Sequence, residues 1–231
     1  MLVDHVHFMF MLKKISYRTV FIGIIFLAAL AAHAGSYTDF FRAIDVDDVS
    51  AVQSLLQEGF DPNAVNGKGN SALYMALRDK SLKVAKLLIE QPKINLNQLN
   101  PSGENALMIA CLQGDLGLVK RMVERGAEIN KPGWTPLAYA ATNGHTAIVK
   151  FLLDHAAYID AAAPNGTTPL MMAAYFGQSA TVQLLLDEGA DPNLKNAMGF
   201  TALELAVHRG HKLEAQMIAS HMTKDRPKGH W

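Results

Sequence analysis

Thr168-Pro169-Leu170-Met171-Met172-Ala173, then Val182-Gln183-Leu184-Leu185-Leu186 beyond Gly177, closing on Gly189-Ala190-Asp191-Pro192-Asn193, is the stretch that decides the fold. Threonine accepts the free N–H groups at a helix start, and proline fits the first helical turn. The first helix is short and alanine-rich, which lets neighbours approach closely, and Gly177 breaks it. Val182, Leu185 and Leu186 fall at three- and four-residue spacing, the stripe of a second amphipathic helix. The turn-rich segment running on to Gly199 suits a protruding hairpin. One unit is therefore two short helices and a hairpin.

That unit recurs. Leu73, Leu107, Leu137, Leu170 and Leu203 each stand three residues before an alanine: Ala76, Ala110, Ala140, Ala173 and Ala206. The leucines are spaced 34, 30, 33 and 33 residues apart, and one more step back reaches Phe40 and Ala43. The shorter interval before Leu137 places a hairpin shortened by three residues at Lys131-Pro132-Gly133. Six units result, near 37–66, 67–100, 101–130, 131–163, 164–196 and 197–222, with a disordered basic tail expected over 223–231. A repeat of this length predicts an all-α solenoid in which each unit packs only on its neighbours.

Thr-Pro-Leu-x-x-Ala, Gly-His at 144–145 and 210–211, and Gly-Ala-Asp-Pro-Asn at 189–193 resemble the ankyrin-repeat family at that family's period. The family's histidine after the anchoring leucine is absent, since Tyr74, Met108, Ala138, Met171 and Glu204 occupy its place. The Thr–His hydrogen bond that stiffens the family's turns is thus unavailable. The first and last units depart most from the pattern, as solubilising caps do.

The resemblance implies a non-catalytic, monomeric scaffold without a cofactor that binds another protein. It also implies that the hairpin tips and the exposed side of the first helices form a concave binding strip. Three residues before the anchors stand Asn70, Glu104, Trp134, Thr167 and Phe200; five and six after them stand Arg78, Asp79, Tyr175, Phe176, His208 and Arg209, among others. The early half of the strip is polar, through Arg78, Asp79 and Glu104. The later half is aromatic, through Trp134, Tyr175, Phe176 and Phe200, with His208 and Arg209 beside it. Exposed aromatics and arginine are the usual anchors of protein interfaces, so these nine residues are the expected partner contacts.

Composition sets the boundaries of that reading. The 231 residues carry 21 basic and 21 acidic side chains, which argues against a nucleic-acid partner. The single cysteine excludes an intrachain disulfide or a cysteine-built metal site. Cys111, in the tightly packed first helix, reads as a small core residue. His208 and His211 lack a third ligand at metal spacing. Gly67-Lys68-Gly69-Asn70-Ser71 lacks the order of a phosphate loop and reads as a hairpin tip. Asp45, Asp47 and Asp48 form an acidic turn too poor in oxygen ligands for calcium.

Residues 1–34 differ from the rest. Lys13, Lys14 and Arg18 precede the apolar run from Val20 to Ala32, and Ala32-His33-Ala34 precedes Gly35. This is the pattern of a secretory signal peptide, with Met11 an alternative start to Met1. Cleavage would leave 18 basic and 20 acidic residues. An exported chain lacking disulfides suits a periplasm better than a eukaryotic exterior. Asn165-Gly166-Thr167 also reads as a glycan acceptor, though Asn-Gly is first a turn signal. Two alternatives stand beside export as a scaffold: an accessory protein carrying a small molecule or metal, and a scaffold tethered to the inner membrane by residues 20–34.

Overall fold

A computed structural model describes residues 35–224. The expected leader over 1–34 lies outside the described residues, as does the end of the chain over 225–231. Twelve helices are described. Helix α1 is seen over 35–45, followed by α2 (Val49–Gln57), α3 (Ala72–Arg78), α4 (Leu82–Ile89), α5 (Ala106–Gln113) and α6 (Leu116–Glu124). Then come α7 (Pro136–Thr142), α8 (Thr146–Asp154), α9 (Pro169–Tyr175), α10 (Ser179–Asp187), α11 (Ala202–Arg209) and α12 (Lys212–Lys224). Among the described residues no strand forms, and the single β-bridge joins Val65 to Ser71.

The helices lie in two layers. The odd-numbered helices from α3 to α11 stack one on the next, and the even-numbered helices from α2 to α12 stack behind them. Alanines make the first layer close: Ala72, Ala76, Ala110, Ala140, Ala173 and Ala206 are all essentially inaccessible. Leu73, Leu107, Leu137 and Leu170 are buried between units, and one continuous core runs from Phe40 to Ile218. Each such leucine contributes about 1.5–3 kcal/mol by leaving water. Leu203 is only partly buried, because among the described residues no further unit covers it.

Local chemistry fixes the helix starts. Ser71, Asn105, Thr135, Thr168 and Thr201 each accept the N–H three residues on. The missing family histidine is replaced by other means. Met108 and Met171 turn their sulfur atoms to the N–H of Asn105 and Thr168, at 3.4 and 3.5 Å. Glu204 accepts the N–H and hydroxyl of Thr201 at 2.7 and 2.9 Å. Tyr74 instead reaches forward to Glu104, and Ala138 has no polar group to offer.

The junctions between units repeat a second device. The Nε2 of His145 donates to the Leu112 carbonyl at 2.9 Å, and that of His211 to the Tyr175 carbonyl at 3.1 Å. Gln178 makes the same bond to Thr142 at 3.0 Å. These side chains lie flat over Gly114, Gly177 and Gly144, where a Cβ would sit 2.3–2.7 Å from them. At the hairpins, Asn63, Asn97 and Asn130 each accept an N–H and donate to a carbonyl of the next hairpin. In the short hairpin the Lys131 Nζ donates to the Pro132 and Trp134 carbonyls, at 2.9 and 3.1 Å.

Candidate partner-binding surface

The nine expected contacts fall into two chemically different groups. Arg78 and Asp79, neighbours at the end of α3, bind each other through two hydrogen bonds of 2.8 and 2.9 Å. An exposed pair of this kind contributes only about 0.2–1 kcal/mol. It presents a locally neutral patch.

Glu104 is occupied from within the chain. Its carboxylate accepts the Tyr74 hydroxyl at 2.8 Å, the Asn100 amide at 3.0 Å and the Tyr139 hydroxyl. Asn100 also donates to the Asn70 side chain at 3.1 Å. Burial pushes the Glu104 carboxyl upward, but the bonds from Tyr139, Asn100 and Tyr74 together outweigh it and hold the group below its ordinary value. Burial, followed by the bond to Glu104, pushes Tyr74 up to about 12, and the same causes raise Tyr139. Glu104 therefore bridges three successive units.

The aromatic half is more open. Phe176 and Phe200 are 43% and 39% exposed. Tyr175 meets Phe176 edge to face, ring centres 5.0 Å apart, and Phe200 stacks on His208 at 6.4 Å. The Arg209 guanidinium lies over the Tyr175 ring at 4.6 Å. The end of α9, the tip before α11 and the end of α11 thus bring five of the nine residues side by side. Trp134 stands apart, half-buried in the short hairpin, with its ring 6.3 Å from Tyr139 and edge-on to it.

Tyr139 and Tyr74 are the residues that reading three, five and six positions from each anchor misses. Tyr139 sits two after Leu137, where other units carry Met75, Ile109, Met172 and Leu205. An aromatic hydroxyl among those apolar residues was the available signal.

Clefts occur away from the strip. One of about 340 Å³ between α4 and α6 is lined by Lys86, Ile89, Glu90, Asp115, Leu118 and Arg121. There Arg121 binds Glu90 through two bonds of 2.6 Å, and Arg125 adds one of 3.1 Å. Arg121 first, then Arg125, lowers the Glu90 carboxyl to about 2. Cys111 is fully buried, and that burial drives its thiol far above the ordinary range, away from the reactive thiolate. Among the described residues no group of three or more His, Cys, Asp or Glu is placed to hold a metal ion. No described helix is long and apolar enough to cross a membrane.

A family model described as ankyrin repeats matches residues 40–132, 131–196 and 160–225. Ankyrin repeat and SAM domain-containing protein 6 of Rattus norvegicus is 33% identical over 46% of this chain, which spans only 12% of that relative. Protein phosphatase 1 regulatory subunit 27 of Mus musculus is 36% identical over 42% of this chain and 66% of its own length. Notch-regulated ankyrin repeat-containing protein A of Danio rerio is 33% identical over 51% of this chain and 96% of its own length. The crystal structure of an ankyrin-repeat domain from Acinetobacter baumannii superposes with a TM-score of 0.66. It is 27% identical, covering 79% of this chain and 97% of that one. The chain belongs to the ankyrin-repeat family, whose repeats mediate protein–protein interaction.

Proposed function

We propose that this chain is an exported, monomeric, non-catalytic scaffold that docks a partner protein on the concave strip formed by its first helices and hairpin tips. The observation that carries this reading is the cluster of Tyr175, Phe176, Phe200, His208 and Arg209. Two of its rings are more than a third exposed at the tip and helix-end positions. Large aromatics clustered at the surface usually mark an interaction site. Trp134, Tyr175 and Phe200 are the proposed anchors. The polar half adds shape through Arg78 and Asp79, which pair with each other, and Glu104, which already holds three donors of the chain.

A crosslinked pull-down from cell-envelope extract tests the reading, with a Trp134→Ala, Tyr175→Ala, Phe200→Ala variant beside the native bait. A protein retained by the native chain and lost with the folded variant supports it. Equal retention by both moves the site off the strip. Mass spectrometry of the purified N-terminus tests export: a chain beginning at Gly35 has been processed, and one retaining residues 20–34 is a tethered scaffold.

A further inference from the structure

We infer that the partner offers the strip an extended acidic segment, in which an aspartate or glutamate pairs with Arg209 and an apolar side chain about six residues away packs on Trp134 and Tyr139. The inference rests on the docking strip proposed above and specifies the chemistry that strip selects.

The charge ledger of the chain points to Arg209. Among the described residues, Arg42, Arg78, Arg121 and Arg125 all stand within ion-pair distance of a carboxylate. Arg209 has no such partner among those residues; its guanidinium lies 4.6 Å from the centre of the Tyr175 ring. Three carboxylates of the strip and of α11 already accept hydrogen bonds within the chain. Glu104 holds three donors, Glu204 caps Thr201, and Asp79 is bound by Arg78. Among the described residues Arg209 is therefore the one arginine that meets no carboxylate.

Its setting suits a carboxylate. A guanidinium offers planar, paired N–H donors that match two carboxylate oxygens. Held on an aromatic face, it loses less freedom on binding and keeps its edge free. Phe176 packs edge-on against the same Tyr175 ring, and Phe200 stacks on His208, the residue before Arg209. An acid docking there is shielded from water on the apolar sides, which strengthens the pairing.

Spacing sets the second anchor. Trp134 and Tyr139 belong to the fourth unit and Arg209 to the sixth, two helix spacings away. At roughly 10 Å per packed helix this is about 20 Å. An extended chain covers that distance in about six residues.

A displayed library of random 16-residue peptides, selected on the full chain, tests the inference. Native chain is expected to enrich peptides carrying Asp or Glu about six residues from an aromatic or aliphatic residue. Arg209→Glu is expected to weaken the best of these at least tenfold and to select Lys or Arg at the same place, while the apolar preference persists. Arg209→Gln is expected to lose the charge preference alone. Each variant is used once its thermal unfolding matches the native chain. Peptides without charge bias that fail on the triple aromatic variant yet bind Arg209→Glu unchanged would overturn the acidic inference and leave the strip intact. Peptides indifferent to both variants would overturn the strip as well. An absence of enrichment would also overturn the inference, because a preorganised strip of this kind captures a short linear segment.

Discussion

Asp160 accepts the backbone N–H of Asp191 through both carboxylate oxygens, each at 3.2 Å. It occupies the place taken by Asn63, Asn97 and Asn130 in earlier hairpins. Those amides also donate to a carbonyl of the next unit, at 2.8–3.3 Å; a carboxylate cannot. Burial, with the nearby Asp191 charge, raises the Asp160 carboxyl, against the opposing bond from the Asp191 N–H. An acid whose folded value is raised weakens the fold once pH climbs above it. Asp160→Asn should therefore stabilise the protein at pH 7 by about 0.5–1.5 kcal/mol. The gain should shrink as pH falls toward 3.8, the ordinary value, and urea unfolding midpoints at both pH values measure it.

Gly59 and Gly114 share a left-handed backbone, at φ +94° and +85°, but only Gly114 faces a ring. A Cβ there would lie 2.4 Å from His145 Cε1, while at Gly59 nothing lies within 4 Å. Gly59→Ala should cost about 1–2 kcal/mol, the left-handed penalty alone. Gly114→Ala should cost more, and the added His145→Ala change should recover the excess. Equal losses at the two glycines in chemical unfolding would refute the packing argument.

Ala156 carries φ +61° where Gly59, Gly126 and Gly189 end the corresponding helices of other units. An alanine in that conformation meets the strain that glycine escapes. Ala156→Gly should raise stability by roughly 0.5–1 kcal/mol, less the entropy that glycine loses on folding. Differential calorimetry reads this as a higher melting temperature.

Glu104 should make the fold acid-sensitive. Its folded carboxyl sits below the ordinary 4.5, so its contribution is full above that pH and is lost as pH falls through the lower folded value. Glu104→Gln sets an amide NH₂ against the donors of Tyr74, Asn100 and Tyr139, at a cost of about 1–3 kcal/mol at pH 7. The difference between native and variant stability should narrow as pH falls from 7 toward and below the ordinary 4.5. A difference constant across that range would assign Glu104 no role in linking the three units.

The solenoid was legible because its signal is periodic. Leucine and alanine return in the first helices of units two to six, and each pair up to Leu170 and Ala173 is buried between units. Thr135, Thr168 and Thr201 cap as their positions require. Less legible was which polar side chains are consumed internally. Glu104 meets Tyr74 and Tyr139, 30 and 35 residues away, because a solenoid sets each residue beside those one unit before and after it. Stepping one repeat in either direction would have exposed that pairing. The Arg209–Tyr175 contact, 34 residues apart, follows the same rule. Roles of Met108 and Met171 were beyond such reading, since sulfur seldom serves as a helix-start acceptor and its rotamer decides the contact.

Loss of affinity for the captured partner in the Trp134→Ala, Tyr175→Ala, Phe200→Ala variant is the most direct test of the binding strip. Interface anchors typically cost 2 kcal/mol or more apiece, so the dissociation constant should rise by roughly 100-fold or more in a variant that still unfolds cooperatively. A constant within about threefold of the native value, well under 1 kcal/mol, would contradict the strip as the site of partner binding.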